Sequence, residues 1–279
     1  MSQADKYFKE EAKEIIENGF NDKDFEVRAH WVDGKPAHTK KIFTRVNRYD
    51  LSKEFPIITL RNAPFKYAVK ETLWIFQKKS NNINDLDSHN WDSWADENGS
   101  IGKTYGYCAG EKFNYYEGLM DQVDNVIYNL KHNPMNRRMI IQLFRPEYIK
   151  QSGLPPCVMT YLFDVANGKL NMTVIQRSGD FLAAASAGAS DEIGMAILQH
   201  MLAQSCGYQV GELVHITNNL HIYDRHETII QQICNNPEYE PPKLWINPEV
   251  KNFYDFKLED FKLINYKNTK LNAEIPVAI

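Results

Sequence analysis

The 279-residue chain lacks most of the features that would tie it to a metal, a membrane or a nucleic acid. Its four cysteines (Cys108, Cys157, Cys206 and Cys234) form no C-x-x-C pair and share no metal-ligand spacing with histidine. That argues against a zinc module or a disulfide framework, and it suits a reducing compartment. No window approaches the roughly 18 consecutive apolar residues of a membrane span. The amino-terminal "MSQADKYFKEEAKEII" is charged and amphipathic without an apolar signal region, so a cytoplasmic protein is expected. A formal net charge of −4 supplies no basic field for duplex nucleic acid, and any anion site must be built locally. Repeats and low-complexity linkers are absent too, so residues 1–279 are expected to form a single domain. What is present is enough core: 43% hydrophobic and 12% aromatic residues place the chain well inside the globular regime.

Periodicity predicts helices over 4–18, 65–79, 121–134 and 191–208, the last carried by Ile193, Ala196, Ile197 and Met201. Pro134 stops the third. Strands are predicted at 55–60, 137–144, 158–166 and 169–178, with a turn at "NGK" (167–169) joining the last two. "LVHITNNLHIYDRHETIIQQIC" reads as a strand, a polar junction and a helix. Strands and helices mix without strict alternation, which favours α+β over a doubly wound sheet.

Cys157 in "GLPPCVMTYLFDV" opens a predicted strand after two prolines that set the approach of the chain. A cysteine is commonly a small buried hydrophobe. Here, however, Arg177 of "QRSGD" lies one hairpin away, and a nearby cation populates a thiolate. Arg177 and Ser178 form the kind of pair that grips a phosphate, and Arg28, Arg137 and Arg138 add further cations. Glu71 in "VKETLWIF" places an acid within an apolar helix face, which is costly without a task. In "RSGDFLAAASAGASDEIGMAIL" a run of small residues leads to Asp191 and Glu192 at a helix mouth. Ser190 or Asp191 as N-cap, with acids at the positive end of the dipole, is the plain reading.

Taken together, "KETLWIFQ", "WDSWADENGSIGKTYG", "NPMNRRMIIQLFRP", "LPPCVMTYLFDVANGKL", "IQRSGD", "HIYDRH" and the terminal "PVAI" resemble the thymidylate synthase superfamily, in order and at the expected spacing from Arg28 to Ile279. The resemblance implies a large mixed sheet packed with helices, with the sheet at a homodimer interface. It implies folate-dependent one-carbon transfer to C5 of a pyrimidine deoxynucleotide through a covalent bond between Cys157 and C6, with 5,10-methylenetetrahydrofolate as co-substrate and no metal. Arg28, Arg177 and Ser178, with Arg137 and Arg138 of the other subunit, would hold the 5′-phosphate. His221 and Tyr223 would hold the sugar hydroxyl. Glu71 and Tyr105 would move protons. Trp91, Trp94, Asp180 and the Ile279 tail would enclose the folate.

The chain departs from the family pattern at three places. Counting back from His221 puts Asp191 where an asparagine reads the base, after a loop lengthened by a few residues in "AAASAGAS". Asn219 stands where an acid precedes the sugar-binding histidine, and Val158 follows Cys157 where many members have histidine. An asparagine amide matches O4 and N3–H of uracil, whereas an ionised carboxylate accepts from the cytosine amino group and opposes O4. Asp191 therefore points to dCMP, resembling the bacteriophage deoxycytidylate hydroxymethylases, with a hydroxymethyl or a 5-methyl product. Conversion of dUMP to dTMP is the alternative. Trp91 and the "PVAI" tail are synthase-like, because both shield an intermediate from water.

Overall fold

The computed structural model describes residues 2–279 and is α+β. Its strands in chain order are β1 (Phe20–Asn21), β2 (Thr39–Asp50), β3 (Lys112–Tyr115), β4 (Gly118–Asp121), β5 (Ile140–Gln142), β6 (Val158–Ala166), β7 (Lys169–Gln176), β8 (Gly179–Asp180), β9 (Gln209–Tyr223), β10 (Lys243–Ile246) and β11 (Phe261–Ile264). Seven of them form one mixed sheet in the order β1-β2-β9-β7-β6-β5, with β8 also on β9. The long β9 is antiparallel to β2 and parallel to β7 and β8. The pairs β3-β4 and β10-β11 are separate hairpins. Helices are α1 (Gln3–Asn18), α2 (Phe65–Thr72), α3 (Tyr105–Gly110), α4 (Gln122–His132), α5 (Asp191–Cys206) and α6 (Glu227–Cys234). Among the described residues no helix is long and apolar enough to cross a membrane.

One face of the sheet is covered. Alternate residues Leu170, Met172 and Val174 of β7 and Leu213 of β9 are fully buried, as are Ile193, Ile197 and Met201 of α5, which packs over both strands. Each such side chain contributes about 1.5–3 kcal/mol on burial. The hairpin between β6 and β7 turns on Asn167 (φ 52°) and Gly168 (φ 72°), the two left-handed positions a tight antiparallel connection requires. The opposite face stays open, with Phe43 84% and Val46 46% exposed on β2.

Several predicted elements differ. Residues 55–60 are no strand, although Ile57, Ile58 and Leu60 are fully buried. Their backbone groups are satisfied elsewhere: the Thr59 N–H donates to Asp5 Oδ1 of α1 at 2.7 Å, and the Ile58 N–H donates to Ala187 O. The polar junction at Asn218–Asn219 lies inside β9, opposite Thr44 of β2, which has φ 44° and whose hydroxyl donates to Asn218 Oδ1 without a break in register. The helix at 65–79 is α2 followed by a π turn over Leu73–Gln77. The whole of β2 went unanticipated.

The small-residue loop is interior. Arg61, itself buried, donates through Nη2 to the carbonyls of Leu182 and Gly188, and Ser186 Oγ donates to Phe181 O at 2.6 Å. A Cβ on Gly188 would come within 2.7 Å of Ile58 Cδ1 and 3.0 Å of Phe8 Cε2. Only small side chains fit between α1 and this segment. Ser190 precedes α5 but makes no capping bond through its side chain. The helix start alone does not explain Asp191.

Glu11 of α1 is 1% exposed, and burial, reinforced by the charge of Glu192, pushes its carboxyl up to about 8. A carboxyl raised in the folded state stabilises fully below its unfolded pKa, and that stability is lost as pH climbs through about 8. Glu11→Gln is therefore expected to flatten the fall of thermal stability between pH 5 and 9. At pH 8 it should gain on the order of 3 kcal/mol over the parent. A variant equally destabilised at every pH would contradict this assignment.

Candidate active site

The register of four strands builds the site. Pairing of β6 with β7 sets Cys157 beside Arg177, whose backbone N–H donates to Cys157 O at 2.9 Å. The Arg177 guanidinium donates to Pro156 O from Nε (3.0 Å) and to Pro155 O from Nη2 (2.9 Å), so the two prolines hold the cation next to the thiol. The Cys157 N–H donates to the Tyr105 hydroxyl at 3.0 Å. Burial pushes the Cys157 thiol up and Asp191 adds to the push, while Arg177 and Arg28 pull it back without overcoming it. The expected thiolate is thus not favoured by the arginines alone.

Parallel pairing of β8 with β9 sets Asp180 opposite His221. Asp180 Oδ1 accepts from the N–H groups of Leu182 and Ala183 at 3.0 and 3.1 Å and lies 3.5 Å from His226 Nδ1. Burial raises the Asp180 carboxyl, but His226, His221 and the backbone bonds outweigh it and hold it below the usual range. His221 is buried and its pKa is lowered, chiefly by desolvation. Its Nδ1 faces Asn219 Oδ1 at 3.1 Å, which suits an Nδ1–H donor and leaves Nε2 as acceptor. Tyr223 stacks edge-on against His221 at 5.2 Å. The carboxyl-terminal tail closes this side: His226 Nε2 donates to Pro276 O at 2.7 Å, and Ile279 exchanges two 2.9 Å backbone bonds with His30, two residues from Arg28.

A cleft beside these groups is lined by Glu71, Trp91, Tyr105, Val158, Tyr161 and Asp191. Glu71 Oε1 accepts from the Tyr67 hydroxyl (2.6 Å) and from Trp91 Nε1 (2.8 Å). Burial raises the Glu71 carboxyl against those two bonds. Trp91 packs edge-on against Trp94 and Tyr105, at 5.6 and 5.4 Å. Asp191 is pushed up to about 8 by burial and then by the charge of Glu71, with only the 2.8 Å bond donated by Gln176 Nε2 opposing. It faces the cleft as a carboxylic acid at neutral pH.

The structure thus sets Glu71, Trp91, Tyr105 and Asp191 around one cleft, joins Cys157 and Arg177 to it through the Tyr105 hydroxyl, Trp94 through Trp91 and Ser178 through Gln176, and brings Asp180, His221 and Tyr223 together beside them, with Arg28 close enough to act on the Cys157 thiol. It does not bring Arg137 and Arg138 there. Both are exposed, and Arg138 covers the Tyr116 ring at 5.4 Å. No group of three or more metal-ligating side chains occurs among the described residues. Unanticipated in the sequence were Gln176, His215, Asn47 and Tyr49, which lie behind Asp191 together with Glu192. The available signal was a polar residue at an inward position of an alternating strand: Gln176 after Leu170, Met172 and Val174, and His215 between Leu213 and Thr217.

The profile of the thymidylate synthase family matches residues 6–279. Thymidylate synthase 1 of Bacillus subtilis (strain 168) is 42% identical over 283 residues, covering 99% of this chain and 100% of that protein. The thymidylate synthase of Bacillus phage phi3T is 41% identical over the same coverage. The solved thermostable thymidylate synthase A from Bacillus subtilis superposes with a TM-score of 0.93, at 40% identity and 100% coverage of both chains.

Proposed function

The chain belongs to the thymidylate synthase family, and from that premise we propose that it methylates C5 of dUMP with 5,10-methylenetetrahydrofolate, yielding dTMP. The observation that carries this reading is the β6–β7 register, which sets Cys157 against Arg177, with the Tyr105 hydroxyl of the cleft bonded to the Cys157 N–H. Cys157 Sγ adds to C6 of the base, C5 bonds to the one-carbon unit, which then parts from its folate nitrogen as C5 loses its proton, and Sγ leaves C6 as the methyl group is completed. Tyr105 and Glu71 handle the proton leaving C5, and the folate supplies the hydride that completes the methyl group. Arg28, Arg177 and Ser178 hold the 5′-phosphate, and His221 and Tyr223 hold the sugar hydroxyl. Trp91, Trp94 and Asp180 seat the folate beneath the Ile279 tail, which is tied down on the same side.

Residues 1–279 act in this reading as one catalytic domain, assembled as a homodimer. The uncovered sheet face carrying Phe43 and Val46 supports a second copy there, which would deliver its Arg137 and Arg138 to the phosphate.

Asp191 bears on which base is taken. The objection to uracil assumes an ionised carboxylate set against O4. An acid whose pKa stands at about 8 instead presents one O–H donor and one carbonyl acceptor at neutral pH, the complement an asparagine amide offers. Uracil is therefore accommodated. The same acid in the opposite register suits N3 and the amino group of cytosine, so Asp191 also supports a second reading, dCMP with a 5-methyl or hydroxymethyl product. Incubation with methylenetetrahydrofolate and either nucleotide, followed by mass measurement of the product, is expected to show a methyl gain on dUMP. A gain on dCMP alone would establish the second reading instead, and no gain on either would overturn both.

A further inference from the structure

Behind Asp191 lies a chain of buried polar groups on a sheet face that is otherwise apolar. Gln176 and Glu192 are fully buried and His215 is 2% exposed. A helix dipole accounts for an acid in a first turn at the surface, but not for one sealed in the core. The links from Ser178 to His215 have a definite direction. Gln176 Nε2 donates to Ser178 O at 3.1 Å and to Asp191 Oδ2 at 2.8 Å. A backbone carbonyl only accepts, so Ser178 fixes the amide with its nitrogen toward Asp191 and its oxygen toward His215. Gln176 Oε1 then accepts from His215 Nε2 at 2.8 Å, with Thr217 Oγ1 3.1 Å from the same nitrogen. His215 Nδ1 faces Glu192 Oε1 at 2.9 Å. Glu192 is anchored in turn by Asn47 Nδ2 at 2.9 Å and the Tyr49 hydroxyl at 2.8 Å, both from β2.

We propose that Glu192, His215 and Gln176 are positioning residues that decide which oxygen of Asp191 accepts and which donates, and so which pyrimidine edge the cleft selects. This rests on the reading of Asp191 as the group that meets the base. The Gln176 amide N–H donates to Oδ2, which makes Oδ2 the carbonyl oxygen and leaves the acid proton on Oδ1. With that order set, one of the two edges finds donor against acceptor at both contacts, and the other finds like against like. The relay acts from within the core and touches no substrate. A buried network of this kind is most valuable when fully satisfied, because each member is held by the next.

The test is calorimetric binding of dUMP and dCMP, without folate, to the full chain and to Gln176→Met, His215→Phe and Glu192→Gln. The ratio of the two dissociation constants is independent of the active fraction, so partial misfolding of a variant does not mimic the effect. Gln176→Met and His215→Phe are expected to move that ratio by at least roughly tenfold, the scale of one buried hydrogen bond made or mismatched. Glu192→Gln keeps an oxygen to accept from Asn47 Nδ2 beside His215 Nδ1, with its amide nitrogen toward the Tyr49 hydroxyl, and is expected to hold the ratio within about threefold. A role confined to stability would weaken both nucleotides equally. Ratios unchanged in Gln176→Met and His215→Phe, with binding intact, would overturn the relay and leave the proposed reaction standing. No binding of either nucleotide by the parent protein would overturn both.

Discussion

Cys157→Ser is expected to lower kcat by at least roughly 10⁴-fold while leaving the dissociation constant for the nucleotide within about threefold. The asymmetry follows from how the site is held. The Arg177 guanidinium is fixed by the carbonyls of Pro155 and Pro156, and its backbone by Cys157 O; none of these bonds involves the sulfur. The anion site therefore survives the exchange. The nucleophile does not, because a serine hydroxyl ionises far less readily than a thiol that burial has already pushed above its ordinary value. Steady-state turnover and calorimetric binding on the same preparation separate the two effects. Turnover within tenfold of the parent would rule out covalent attack by this residue. Loss of binding in parallel would instead make Cys157 a structural support for the arginines.

How far such a site can be read in advance depends on whether its parts carry a period. Strand β6, read at 158–166, and the long helix at 191–208 were legible because their apolar residues alternate or recur at helical spacing against one covered face. Strand β2 carries Lys40, Lys41, Arg45 and Arg48 among few apolar residues, and it borders the open face, so nothing in its pattern announced it. The segment at 55–60 failed for the opposite reason. It has the apolar run of a buried strand, but Asp5 and Ala187 satisfy its backbone in place of a neighbouring strand. Asp191 was legible as an unusual residue, whereas its protonation was not, since that depends on Glu71 from a distant helix and on the depth of the cleft. Glu192 looked like an ordinary first-turn acid until β2 and β9 placed Asn47, Tyr49 and His215 around it. Arg137 and Arg138 show a different limit, because the geometry of one chain gives them no place beside Cys157.

Asp191→Asn is expected to remove an alkaline limb from the dUMP rate profile without changing base preference at pH 6. In the parent, the form that reads uracil is the acid, whose pKa is about 8. Raising the pH through that value removes the proton, which taken alone lowers kcat/KM for dUMP by about tenfold for each further pH unit. The Cys157 thiol works in the other direction, since a nucleophile that must ionise gains with pH, and the two together give a flat-topped profile that falls only after the thiol has ionised. An asparagine has no such proton to lose. The Gln176 donor, fixed by Ser178 O, takes the amide oxygen in the place of Oδ2 and leaves the amide nitrogen where the acid O–H stood. The variant thus reproduces the acid form of Asp191 at every pH. Its kcat/KM for dUMP should continue to rise toward pH 9 as the thiol ionises, whereas the parent levels off above about 8. In the parent the ratio of dCMP to dUMP should climb over the same interval, because a carboxylate accepts from the cytosine amino group but meets O4 of uracil with lone pair against lone pair. A variant that keeps the alkaline limb would assign that ionisation to another group, with Glu71 the nearest candidate in the cleft. A base preference that already differs at pH 6 would show instead that the parent reads its substrate as a carboxylate, and dCMP would then be the better description of what the cleft is built to hold.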